Sequence, residues 1–158
     1  MEAVEKPAAV SPPPGSIGGM TFENLPPNFR DLPLDDPVLR ADAVDLFVSH
    51  ADRETGCLAL VFLDEAHRVT TPVVVGEMGP PTPEQVGFVL DKVVADLRPP
   101  ALVLALGRMG SALFTDDDRA CHQAAVDRSR ELGVDLLATY VVTSSAVREL
   151  PDHLRVAS

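Results

Sequence analysis

The chain has 158 residues, enough for one domain with a proper core and some extra length at a terminus. Apolar residues make up 46% of it, with one Tyr, six Phe and no Trp, so the core must be aliphatic. The formal charge of −11 repels phosphate backbones and makes nucleic acid an unlikely partner.

Residues 1–20 are rich in Pro, Gly and Ala and are expected to be a disordered tail. They contain no apolar stretch of the kind a secretory leader needs. Residues 21–37 interleave Phe22, Leu25, Phe29, Leu32 and Leu34 with four prolines. That composition forbids a helix and predicts a Pro-rich extended arm, either lying on the domain or binding a partner. Residues 38–158 read as a single α/β domain.

Asp36-Pro37 predicts a helix start, with Leu39, Ala43, Leu46, Phe47 and His50 recurring at helical spacing. Glu54-Thr55-Gly56 ends it. Cys57–Leu63 and Val69–Val75 read as a β-hairpin turning at Asp64–His67. Thr82-Pro83-Glu84-Gln85 is a capping box, and the helix it opens carries Val86, Val89, Leu90, Val93, Val94 and Leu97 on one face. Pro99-Pro100 stops that helix. Ala101–Leu106 is apolar throughout, as in a strand covered on both faces. Thr115 caps the next helix, Asp116, Asp117 and Asp118 complement its dipole, and Gly133 ends it. Val134–Val142 is a further strand. Ser144–Leu150 fits either a short helix or a last strand. The expected fold is α/β, with a mixed sheet of about four to six strands that starts with a hairpin and carries helices on both faces.

The chemistry-bearing residues form no complete constellation. Asp64-Glu65-Ala66-His67 spells an acidic box found after a strand in nucleotide-driven helicases, but no phosphate-cradling glycine loop accompanies it, and Lys92 lies within a helix. The histidines His50, His67, His122 and His153 fall in different elements, with no metal-ligand spacing between them. Cys57 and Cys121 sit in apolar segments and read as buried, reduced thiols, which together with the missing leader suggests a cytoplasmic protein. Ser111, Ser144 and Ser145 have no evident base. The loop Gly107-Arg108-Met109-Gly110-Ser111 follows the apolar strand, where open α/β sheets place ligands. Gly107, Arg108, Gly110 and Ser111 are therefore candidate ligand-binding residues, with Glu54 as a further candidate. No run is long and apolar enough to cross a bilayer.

Cys57–Asp64 with Ala66-His67-Arg68-Val69 resembles the first hairpin of RadC-type JAB (JAMM/MPN) domains. Ala101–Ala105 is similar to the strand that leads into that family's metal motif. Ser129–Leu137 followed by Tyr140-Val141-Val142 resembles the helix end and strand after it. The likeness covers about residues 52–143 and implies a three-layer fold shared with cytidine deaminases. It also places Glu54 roughly where the family keeps a catalytic glutamate. The family's motif, two histidines, a serine and an aspartate, falls here on Leu106, Arg108, Asp116 and Arg119. Arginine stays protonated and cannot ligate zinc.

The resemblance therefore implies a metal-free, non-catalytic JAB/RadC-like domain without cofactor, serving as a protein-interaction or scaffold module with a protein partner or as a homo-oligomer. One alternative is a small-molecule or nucleotide-binding domain that uses the Gly107–Ser111 loop. Another is a metal-independent enzyme, most simply a hydrolase, that uses Glu54 and Arg108.

Overall fold

A computed structural model describes residues 25–151. The proposed tail, Phe22 at the start of the arm, His153 and the end of the expected domain lie outside the described residues. Of the arm, residues 25–37 are described, Pro37 already belonging to the first helix. They include a short 3-10 turn, Phe29–Asp31, and end with Leu34 fully buried. Phe29 packs against Phe47 with ring centroids 6.2 Å apart. Leu34 N–H donates to the His67 carbonyl at 2.8 Å, which fastens the segment to the hairpin turn.

The first helix, α1, is Pro37–Phe47, with the Asp36 side chain accepting from Val38 N–H as its cap. One continuous helix was expected up to the Glu54-Thr55-Gly56 stop. Instead the chain turns extended at Val48 and Ser49, and α2, His50–Thr55, starts anew with the Ser49 hydroxyl accepting from Asp52 N–H. The break seats Val48 in the core. Gly56 then takes φ +88, and a Cβ there would fall 2.0 Å from the Gly79 carbonyl oxygen, so only glycine fits.

Strands β1, Cys57–Leu63, and β2, Val69–Val75, form the hairpin. Its turn is made by Asp64, whose carboxylate accepts from the backbone N–H of Ala66 and Arg68, both at 2.9 Å. Helix α3, Pro83–Leu97, opens with the expected Thr82–Gln85 capping box. Strand β3, Ala101–Gly107, leads to α4, Asp116–Leu132, which ends on Gly133 in the left-handed region. Strand β4, Asp135–Val142, is followed by β5, Val147–Glu149, so the open stretch after Ser144 resolves as a strand.

The sheet is mixed and five-stranded, in the order β2-β1-β3-β4-β5. Strand β1 is antiparallel to β2 and β3, β3 and β4 are parallel, and β5 returns antiparallel. Every residue of β1 and β3 is buried, because helices cover both faces. On one face Ala43, Val44 and Val48 meet Cys57, Ala59, Val61, Val103 and Tyr140. On the other, Val86, Leu90, Cys121 and Ala125 meet Leu58, Leu60, Phe62, Leu104 and Val141. The chain is thus a three-layer α/β fold whose core is aliphatic, each fully buried Leu or Val contributing about 1.5–3 kcal/mol. Among the described residues, no helix is long and apolar enough to cross a membrane.

Candidate functional site

The carboxyl end of β3 is the natural place to look, because the only parallel pair in the described sheet, β3 and β4, ends there. The loop from Gly107 to Thr115 occupies it, and Arg108 is its centre. The Arg108 side chain is 10% exposed, and every N–H of its guanidinium is engaged. Nε donates to Asp118 Oδ1 at 2.9 Å and Nη2 to Asp118 Oδ2 at 2.6 Å, a bidentate ion pair. Nη1 donates to the carbonyls of Met109 and Ser111, and Nη2 also to that of Leu113. The arginine organises its own loop and has no donor left for an anion.

Asp118 is equally committed. It is the third residue of α4, and its carboxylate reaches back to the Thr115 N–H at 2.8 Å while the Thr115 hydroxyl accepts from Asp118 N–H. Burial opposes its charge, but the hydrogen bonds from Arg108 and Thr115 prevail and hold the carboxyl below its ordinary range. The three aspartates, read together as dipole partners, therefore divide. Asp118 is buried, whereas Asp116 and Asp117 are exposed.

The other candidates in this loop have packing or turn roles. Gly107 faces Cys57 across β1, and a Cβ on it would meet the Cys57 sulfur at 2.5 Å. Gly110 takes φ +95, as a turn needs. Ser111 Oγ accepts from Leu113 N–H. Arg148 closes the outer side, donating to the Ala112 carbonyl and lying over the Phe114 ring at 4.6 Å. Glu54 is exposed on α2, outside this loop.

The four positions where the resemblance puts a metal motif do not converge. Leu106 is buried in the core, Arg108 is paired to Asp118, and Asp116 and Arg119 are exposed on α4, 3.6 Å apart. Among the described residues, no group of three or more His, Cys, Asp or Glu is placed to hold a metal ion. His67 is partly buried in the hairpin turn. Its Nδ1 lies 2.6 Å from Asp35 and its Nε2 3.7 Å from Asp135. Burial, together with Asp52 nearby, pushes the Cys57 thiol up to about 11. Burial and the first-turn aspartates push Cys121 up to about 12. Both thiols are therefore protonated and poor nucleophiles.

Two buried arginines were not anticipated from the sequence. Arg40 on α1 donates to Tyr140 Oη, the Leu34 carbonyl and Glu149, tying arm, helix and sheet together. Arg53 on α2 donates to the carbonyls of Val48 and Thr143 and to Asp45. Each arginine, like Arg108, gathers loop carbonyls around a buried charge.

A concavity lies elsewhere, along the start of β4 and the second half of α4. It is a half-open groove of about 320 Å³ lined by residues that include His122, Ser129, Arg130, Asp135, Leu136 and Glu149. It is at the opposite end of β4 from the Arg108 loop. No protein-family model matches the chain, and a search of curated proteins finds no match.

Proposed function

We propose that the chain is a non-catalytic, metal-free interaction module built on a JAB/RadC-like α/β scaffold, acting through a protein partner or a second copy of itself. The observation that carries this reading is the Arg108–Asp118 ion pair. A zinc hydrolase on such a scaffold needs imidazoles and a carboxylate converging on open space at the end of the strand. Here that end is filled by a guanidinium whose donors are all spent on its own loop. The order of elements, hairpin, helix, strand, helix, strand, agrees with the family resemblance. The outward face of the loop adds to the reading, since it carries Met109 and Leu113, 61% and 70% exposed, on a backbone fixed from within by Arg108 and from without by Arg148.

Elemental analysis of protein purified without chelator tests the metal-free part. Zinc well below one equivalent, with no turnover of isopeptide or ester substrates, is the expected result. One zinc per chain, removed by chelator together with a hydrolytic activity, overturns the reading.

A further inference from the structure

His67 closes the hairpin turn with φ +65, a left-handed conformation that glycine adopts with less strain. Its N–H donates to the Asp64 carbonyl, and its own carbonyl accepts from Leu34 N–H at 2.8 Å, so the residue that turns the hairpin also holds the arm. A side chain kept at a position that favours glycine calls for a contact made by that side chain. The imidazole makes one on each side. Nδ1 lies 2.6 Å from Asp35 Oδ1 in the arm, and Nε2 lies 3.7 Å from Asp135 Oδ2 at the start of β4. Asp135 is itself fixed, its N–H donating to the Pro100 carbonyl at 3.1 Å. The other charged groups around the ring have different duties. On its own turn Arg68 pairs with Asp64, and Glu65 is exposed. In the arm Asp36 caps α1, and from α1 Arg40 donates to the carbonyls of Leu34 and Asp35 and to Glu149.

We propose that His67 is a proton-dependent latch for the arm. A neutral imidazole carries one N–H and donates to one carboxylate, leaving the other opposite a bare ring nitrogen. The imidazolium donates from both nitrogens and places its charge between two anions. Histidine is the side chain that changes charge between about pH 5 and pH 8. The protonated form therefore clamps arm, turn and β4 together. As pH rises through that range the clamp weakens, and with it the backbone bond from Leu34 to His67. The Asp35 and Asp135 side chains are 65% and 67% exposed, so the effect is modest and screened by salt. Leu34 in the core and Phe29 against Phe47 do not titrate, so the arm loosens around Leu34 and Asp35 without leaving the domain.

Hydrogen exchange of the Leu34 amide in the intact chain, divided by its intrinsic rate at each pH, tests this. At low salt, protection is expected to fall about two- to fivefold as pH rises from about 5 to about 8. Molar salt is expected to flatten the fall. His67→Gly suits the positive φ of the turn and removes the imidazole, so its protection is expected to stay level over the same range. Asp35→Asn keeps an acceptor without the charge and is expected to show a smaller fall. Protection that does not change with pH in the wild type overturns the proposal. So does an undiminished fall in His67→Gly, which assigns the pH effect to another group, or in Asp35→Asn, which takes the arm carboxylate out of the latch.

Discussion

Arg108 and Asp118 stand ten residues apart in sequence yet meet through two hydrogen bonds of 2.9 and 2.6 Å, joining the end of β3 to the start of α4. A buried pair of this kind is held as a unit. Removing one partner leaves an uncompensated charge, so Asp118→Asn or Arg108→Met is expected to cost about 3–5 kcal/mol. The double variant Arg108→Met/Asp118→Leu is expected to be milder than the sum of the singles. Urea unfolding of the three variants measures both the cost and the coupling.

The same pair gives a pH signature. Asp118 has a lowered pKa in the folded chain, so its stabilisation is fully present above the unfolded carboxylate value of about 3.9. It is lost as pH falls from there through the folded value. Denaturant midpoints between pH 7 and pH 2.5 are expected to show a steep acid decline in the wild type. Asp118→Asn is expected to flatten that decline while lowering stability at neutral pH.

Gly107 and Cys57 form a steric pair across β1 and β3, a Cβ on Gly107 meeting the Cys57 sulfur at 2.5 Å. Gly107→Ala is expected to cost about 1–3 kcal/mol through overpacking. Adding Cys57→Ala removes the obstructing sulfur and is expected to recover part of that cost. If Gly107 instead served a ligand, the second substitution would recover nothing; thermal melts of the single and double variants decide.

With thiol pKa values pushed up to about 11 and about 12, Cys57 and Cys121 should resist modification in the native state. A chromogenic disulfide reagent at pH 8 is expected to react with neither in native protein and with both in denaturant. Rapid labelling of either thiol in folded protein contradicts their placement in the core.

The fold was legible where local chemistry is self-contained. Thr82–Gln85 and Thr115–Asp118 announce helix starts, and Asp64 announces the hairpin turn, because capping and turn residues act within a few positions of themselves. Strand β5 was not legible, since three residues are too short to show a period. The break at Val48–Ser49 was hidden inside one continuous helical pattern, because Ser49 as a cap looks like any polar residue on a helix.

The candidate site was legible only as a place. The end of β3 was identified, and Arg108 was named among the candidate ligand-binding residues. Its partners are one carboxylate and three carbonyls brought in by the loop, and no spacing rule reveals carbonyls. The one available signal was the capping position of Asp118, which turns its carboxylate back toward the residues before the helix while Asp116 and Asp117 face out. Arg40 and Arg53 were missed because a charged residue on a helix reads as surface until its carbonyl acceptors are known.

The central claim, that the end of β3 is a filled structural joint and not a reaction site, is tested most directly by thermal unfolding of the intact chain against zinc, magnesium, phosphate and nucleotides. The account predicts no saturable rise in melting temperature with any of them, because every Arg108 donor is engaged and, among the described residues, no metal-ligand set converges beside it. A saturable rise of several degrees with one of these ligands, absent in the Arg108→Met/Asp118→Leu variant, would contradict it.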